Sequence, residues 1–594
     1  MRFFHPVILN SAFRTAFQSY NNVRKLNSIV KVINTKDDDC IRLTFKYSSS
    51  PKLLVKAPKD QNVQTVLNRI KLMVALQRKK EEIRQAVSNK YSATADGSIK
   101  TVEEDVDVHL YQNDDLLDES ISNDRAWSQA SVLKIGEILY EVNYNQPTVT
   151  ELSLPEHIVA GCPLRPHFIL ECASLEDCIF KWFRSILSTN FCETNDSLDQ
   201  RNFFMNDDSI WTQVGEDFIY YTTPEDVGCY IKIVCTPRHG STAGLDFAVM
   251  SKRVVESGPD MYPFEIRQAY TKELCGPDSI RCLSYNILAN MYVERKRFPY
   301  ATKKACDIYY RKQLLLKELV GYKSDIICLQ EATDRVFEYD LLPVLNCSDY
   351  QGIFTRKGGR RYEGVATFFR ASKFKILKNY GGLLNEIVKQ REIFNDLLAK
   401  VSGNLKDMSR LLAQGTAIQV ILLEDIMNPH RRLLVANTHL YSNKDTPEVR
   451  LLQAALSACY VEHIIKSENL SSSGLLFCGD FNSLPDSEAY HFMTSGSFEC
   501  CPTWKNNSTS NVDAVLRHNL CLDSACGTPE YTNYTEEFKG CLDYIFYSTK
   551  YLKVTDIVPM PSHEAVSAHV GLPNEYFPSD HIALVCTLKW IENT

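Results

Sequence analysis

At 594 residues the chain exceeds what one ordinary hydrophobic core holds, so two or more domains are expected. Its 44% hydrophobic and 23% charged residues are those of a globular protein, and no apolar run reaches the roughly 18–20 residues that span a bilayer. A formal net charge of −7 excludes a globally basic nucleic-acid binder, so any basic surface must be local.

From Met1 to Lys36 there is no Asp or Glu, while Arg2, Arg14, Arg24, Lys25 and Lys31 are basic and Phe, Leu and Val alternate with Ser, Thr and Asn. This pattern predicts a mitochondrial presequence over 1–36 and hence a matrix location. Ile41, Leu43, Phe45 and Tyr47 alternate as in a strand, with a hairpin partner at Pro51–Val55, and Val63–Arg84 carries helical spacing. Residues 81–124 are polar, end in Asp114, Asp115, Asp118 and Glu119, and read as an acidic loop. Between Ser131 and Lys252 short strands alternate with turn signals, which predicts a β-sandwich closing a β-rich domain over 37–256. Trp182 after Cys172, and Asp226-Val-Gly-Cys-Tyr230 as a tyrosine corner, fit an immunoglobulin-like arrangement without its disulfide. The twenty cysteines contain no Cys-x-x-Cys pair, so buried thiols in a reducing compartment are expected, not zinc modules.

Ser257-Gly-Pro259 opens a linker over 257–278, and from Ser279 the texture becomes α/β to Thr594. Pro447–Ile465 is the clearest helix, and Leu383–Leu412 reads as a helical insertion. Six apolar segments end in or carry polar groups: Ser284-Tyr-Asn286, Cys328-Leu-Gln-Glu331, Asn437-Thr-His439, Cys478-Gly-Asp480-Phe-Asn482, Gly540-Cys-Leu-Asp543 and Pro578-Ser-Asp580-His581. Singly, each fits a turn, a cap or a core polar residue. Together they supply carboxylate and amide oxygens, which favour a hard cation, Mg²⁺ with Mn²⁺ able to substitute, over zinc. Glu331, Asp480 and Asn482 are candidate metal groups, His439 and Asn482 candidate phosphate donors, and His581, oriented by Asp543, a candidate general base or electrophilic donor.

In this order the segments resemble the exonuclease–endonuclease–phosphatase superfamily over roughly the last half of the chain. Glu363-Gly-Val-Ala-Thr-Phe-Phe-Arg370, the Tyr531–Phe546 run and Phe577-Pro-Ser-Asp580-His581 are similar to its deadenylase branch, and within that branch to the mitochondrial 2′,5′-phosphodiesterases. The resemblance implies a deoxyribonuclease-I-like, four-layered α/β sandwich behind a β-rich, sandwich-like N-terminal domain. It further implies a Mg²⁺-dependent 3′-exoribonuclease acting on poly(A) and 2′,5′-oligoadenylate, with one or two metals and no obligatory protein partner. Residue by residue, it makes Glu331 the principal metal ligand with Asn286 beside it, and Asp480 and Asn482 the far side of the scissile phosphate. Asp580 lies beside the metal, His439 on the phosphate, and His581 is catalytic with Asp543. Phe538 would stack on an adenine and Asn533 read its edge or ribose. Lys357, Arg360 and Arg361 form a basic loop suited to phosphate, and Arg361 is its candidate contact. After His439 the chain reads Leu-Tyr-Ser-Asn-Lys444, without the Trp and Pro of the branch's base clamp, leaving Lys444 as the candidate substrate contact there. Alternatives are the same fold acting on DNA or inositol phosphates, or a non-catalytic RNA-binding protein.

Overall fold

A computed structural model describes residues 28–591 except 37, 48–51, 91–105, 114, 187–204, 206, 295, 360–361, 391, 402–404, 471 and 500–514. Two compact units emerge, and the chain crosses between them more than once. One takes Met1–Ser153, His167–Lys181 and Ile233–Val249; the other takes Leu154–Pro166, Trp182–Lys232 and Met250–Thr594.

The first unit is built on a seven-stranded sheet, in the order Leu53–Pro58, Cys40–Phe45, Ile29–Ile33, Ile138–Tyr144, Val132–Ile135, Val108–Gln112, Asp115–Leu116. The alternation at Ile41, Leu43 and Phe45 buries one face, onto which the helix Val63–Lys90 lays Val63, Val66, Leu67, Ile70 and Val74 around Trp127. Two expectations differ here. Ile29–Ile33 lies inside the 1–36 segment, yet it pairs on both sides in this sheet with Val30 and Val32 fully buried. The 81–124 stretch is also not all loop. The helix continues to Lys90, and Val108–Gln112 and Asn123–Gln129 are regular, because Val108, Leu110, Ala126 and Trp127 add apolar surface to the core among polar neighbours.

The strands expected after Ser131 are present. Thr148–Ser153 pairs with His167–Glu171, and in the second unit Trp182–Ser185 pairs with Trp211–Gly215. Trp182 stacks on Tyr220 at 5.7 Å, and Asp226 accepts a 2.7 Å bond from the hydroxyl of Tyr220. The 257–278 segment is not a free linker. Pro263–Gln268 is helical, Tyr262 and Phe264 are buried, and Arg267 donates to the carbonyls of Pro559 and Ala583.

The rest of the second unit is a four-layered α/β sandwich. A six-stranded sheet runs Tyr350–Arg356, Glu363–Arg370, Ile326–Thr333, Ser279–Asn286, Leu584–Trp590, Leu552–Ile557. The facing seven-stranded sheet has the path Phe374–Asn379, Ala417–Asp425, Arg432–His439, Gly474–Asp480, Asp543–Ser548, Leu522–Ser524, with Gly382–Leu383 off it. The strands read as near-continuous apolar runs because both faces are covered. Ile280, Cys282, Cys328, Val435, Leu476, Cys478 and Ile545 fill the space between the sheets. The alternate residues Leu283 and Tyr285 pack toward Ile308–Gly321, and Leu434, Ala436 and Phe477 toward Pro447–Ser467. The helical insertion appears as Leu384–Gln390, Asn395–Val401 and Leu405–Ala413. Among the described residues no helix is long and apolar enough to cross a membrane.

Candidate active site

Two parallel pairs set the site. Ser279–Asn286 runs beside Ile326–Thr333, and Arg432–His439 beside Gly474–Asp480, so Asn286, Glu331, His439 and Asp480 leave the sandwich at one end. Below them, Asn437 is fully buried and bridges the sheets. Its amide donates to the carbonyl oxygens of Leu329 (3.2 Å) and Ala366 (3.0 Å), and its Oδ1 accepts from Gln330 at 2.9 Å. A buried network of this kind fixes the offset of one sheet against the other, and with it the spacing of the groups above.

Glu331 is the extra residue of a bulge against Glu363–Arg370 and has φ 57°. A left-handed non-glycine residue is strained by roughly 1–3 kcal/mol and concentrates at functional sites. Here the bulge turns the carboxylate inward, where Oε2 accepts from the Ala289 amide (2.9 Å) and Oε1 from Asn286 Nδ2 (3.2 Å). The same Asn286 amide donates to Asp480 Oδ2 at 3.0 Å, so one side chain spans two carboxylates contributed by different sheets. Asn482 is also left-handed, with φ 49°; its amide donates to the Leu440 carbonyl and braces the turn after His439.

His439 and His581 flank Asp480 Oδ2, with their Nε2 atoms at 3.6 and 3.7 Å. His581 Nδ1 lies 2.7 Å from Asp543 Oδ2. Asp580 is buried beside Arg297, whose Nη2 is 3.6 Å away, and Asp580 Oδ1 has no hydrogen-bond partner among the described residues. The loop carrying Asp580 is tied down by Arg311, fully buried, which donates to the carbonyls of Pro578, Ile287 and Leu288, and by Ser579, which donates to the Asn286 carbonyl.

The electrostatics follow from this crowding. Burial pushes Glu331 up to about 7, helped by the carboxylates of Glu363 and Asp580. Burial and Asp543 raise Asp480 to about 6. Burial opposes charge on His581, but Asp543 and Asp480 outweigh it and raise the imidazole to about 10. Buried carboxyls raised by one another, with an unbonded carboxylate oxygen at Asp580, are what a divalent cation relieves. The oxygen-rich donor set of Glu331, Asn286, Asp480 and Asp580 suits a hard one. Asp480, Asp543 and His581 present donor atoms within 4.8 Å of one another. The short Nδ1 bond makes the last two a hydrogen-bonded dyad, not a shared metal cage.

The recognition residues lie beside this centre. Asn533 pairs across an isolated antiparallel bridge with His581. Phe538 is 39% exposed, and so is neither a core aromatic nor a free one. A Cβ on Gly540 would sit 2.9 Å from its ring and 2.7 Å from Leu484, itself 38% exposed. Glycine at 540 therefore lets two apolar side chains meet as one platform. Lys444 occupies an exposed turn ahead of Pro447–Ser467. Arg361 lies outside the described residues, while Lys357 of the same loop turns inward onto Glu363 at 3.2 Å.

Sequence reasoning did not single out Glu363, Thr532, Arg297 or Arg311 for the site. Glu363 is fully buried, accepts from the Tyr292 hydroxyl at 2.6 Å, and has Oε2 3.9 Å from His439 Nδ1.

A model of the endonuclease/exonuclease/phosphatase family matches residues 283–581, half of the chain, and the chain belongs to that family of phosphoester-hydrolysing enzymes. A model of the 2′,5′-phosphodiesterase 12-like N-terminal domain matches residues 146–256. The chain is 36% identical over 491 residues to 2′,5′-phosphodiesterase 12 of Mus musculus, covering 81% of this chain and 80% of that one, with the same values for the Homo sapiens protein. The Ccr4 3′-5′-exoribonuclease subunit of the CCR4-Not complex from Schizosaccharomyces pombe is 30% identical over 341 residues, 52% of this chain and 48% of that one. Among solved structures, ANGEL2, a 2′,3′-cyclic phosphatase in complex with adenosine-2′,3′-vanadate, aligns with a TM-score of 0.45 and 24% identity over 52% of this chain and 96% of that one.

Proposed function

We propose that this chain is a Mg²⁺-dependent phosphodiesterase that removes adenylates from the 3′ end of poly(A) and cleaves 2′,5′-oligoadenylate. The observation that carries the reading is the two-sided centre in which Asn286 spans Glu331 and Asp480, set beside the half-exposed Phe538 platform. Glu331, Asn286 and Asp580, with Asp480 facing them, would hold the cation. When bound, it supplies Lewis-acid charge to the scissile phosphate and lowers the pKa of a coordinated water. His581, protonated at neutral pH, donates to a non-bridging phosphate oxygen; the raised pKa favours that role over general base. Asp480, flanked by both histidines, accepts the proton of the attacking water. The new bond forms between water oxygen and phosphorus as the bond to the leaving ribose oxygen breaks; that oxygen takes a proton from solvent to become the hydroxyl of the shortened chain, and 5′-AMP departs. His439, held near Glu363, adds a second donor to the phosphate.

The adenylate preference is supported by the platform. Stacking on an aromatic contributes about 1–3 kcal/mol per base. Phe538→Ala should therefore raise KM for oligoadenylate roughly 10- to 100-fold while leaving cleavage of a base-free diester, bis(p-nitrophenyl) phosphate, unchanged. An equal loss on both substrates would assign Phe538 to the fold.

We also propose a mitochondrial matrix location, on the acidic-poor composition of residues 1–36. Residues 1–27 fused to a fluorescent protein should direct it to mitochondria; a diffuse cytosolic signal would count against it.

A further inference from the structure

We propose that Thr532 is a positioning residue: its hydroxyl aims the Asp543 carboxylate at His581, while its backbone ties the recognition loop to that dyad. This rests on the phosphodiesterase reading above.

Thr532 is fully buried, and its Oγ1 makes three bonds. It donates to Asp543 Oδ2 at 2.6 Å and accepts from the amides of Leu542 (2.9 Å) and Asp543 (3.1 Å). Asp543 Oδ2 is also the oxygen that holds His581 Nδ1 at 2.7 Å, while Oδ1 is buried with no hydrogen-bond partner among the described residues. One oxygen thus takes both bonds, and Thr532 is the bonded group besides the imidazole that restrains the carboxylate's rotation. A threonine suits the task because its branched side chain keeps χ1 stiff.

The backbone extends the effect. The amide of Thr532 donates to Gly540 O and its carbonyl accepts from Ile582, Asn533 bridges His581, and the amide of Tyr534 donates to the Asp580 carbonyl. Thr532 and the two residues after it are therefore stitched to 580–582, and the turn running to Phe538 and Gly540 starts from this anchor. Removing the hydroxyl would free the carboxylate to rotate without removing any group that touches substrate.

The test compares Thr532→Val, Thr532→Ala and Thr532→Ser in the full chain, alone and with Asp543→Asn. The substrates are 2′,5′-linked triadenylate and bis(p-nitrophenyl) phosphate, with Mg²⁺. Thr532→Val is expected to lower kcat about 10- to 100-fold on both, as loss of groups that orient a site's residues does, with KM within about threefold. Thr532→Ser should restore kcat to within about threefold, and Thr532→Val should add no further loss once Asp543 is Asn, because it acts through that carboxylate. A kcat in Thr532→Val within threefold of wild type, losses that multiply with Asp543→Asn, or failure of both Val and Ala variants to fold would overturn the proposal. Wild-type protein that cleaves the chromogenic diester but not the triadenylate would sink the adenylate reading and leave this assignment standing.

Discussion

Glu331→Gln is expected to reduce cation-dependent cleavage by on the order of 10³-fold, the upper end of what one preorganised electrostatic contact supplies. The substitution keeps the volume of the side chain and the acceptor for the Ala289 amide, and removes the charge that would hold the cation. The same change should stabilise the metal-free protein above neutrality. Glu331 is held near 7 and Asp480 near 6 in the fold, well above the usual carboxylate range. Between roughly pH 4 and these values the native state binds protons that the unfolded chain has released. A raised carboxyl pKa therefore contributes stability in mild acid that is lost as pH rises through about 6–7. Thermal melts of the metal-free wild type should fall between pH 5 and pH 8, and Glu331→Gln should recover part of the loss, on the order of 1–3 kcal/mol. Divalent cation should restore the wild type and not the variant. A wild-type melt that is flat with pH and indifferent to cation would refute the assignment.

Asp543→Asn should lower kcat by about 10²- to 10⁴-fold, the range for losing a positioned acid–base group. Asp543 is the first of the charges that lift His581 to about 10 against the opposing effect of burial. Without it, burial is less strongly opposed, and the imidazole holds less firmly the proton it aims at the phosphate. The raised pKa also gives the sign of the stability effect: charge on His581 stabilises the fold below about pH 6.5, and that contribution is lost as pH rises toward 10. His581→Gln should cost about as much as Asp543→Asn, and the pair together little more, since the two act as one unit. Multiplying losses would separate them.

Much of the catalytic half was legible because its strands are short apolar runs with polar residues at their ends, a pattern local enough to read without contacts. Asn286, Glu331, Asp480, Asp543 and His581 were found this way, and the structure brings them together. Glu363 escaped because its value comes from facing His439 and Glu331 across strands, which no local pattern records. Thr532 escaped because a threonine in a polar run reads as a turn residue until its three bonds are seen. The bulge at Glu331 was also unreadable: the register shift that sets φ 57° depends on the partner strand. In the first unit, polarity misled. Residues 108–129 read as polar, yet Val108, Leu110, Ala126 and Trp127 are buried in the core that the helix covers. Arg267 likewise anchors a segment whose Gly and Pro content reads as linker.

The most direct test is product analysis of one 5′-labelled RNA ending in adenosines, beside a 2′,5′-linked oligoadenylate and an abasic DNA duplex, each with Mg²⁺ and with a chelator. The predicted result is stepwise loss of 5′-AMP from the 3′ end of both adenylates only when Mg²⁺ is present, with the duplex intact. Internal cuts, cleavage of the duplex, or activity that survives the chelator would contradict it.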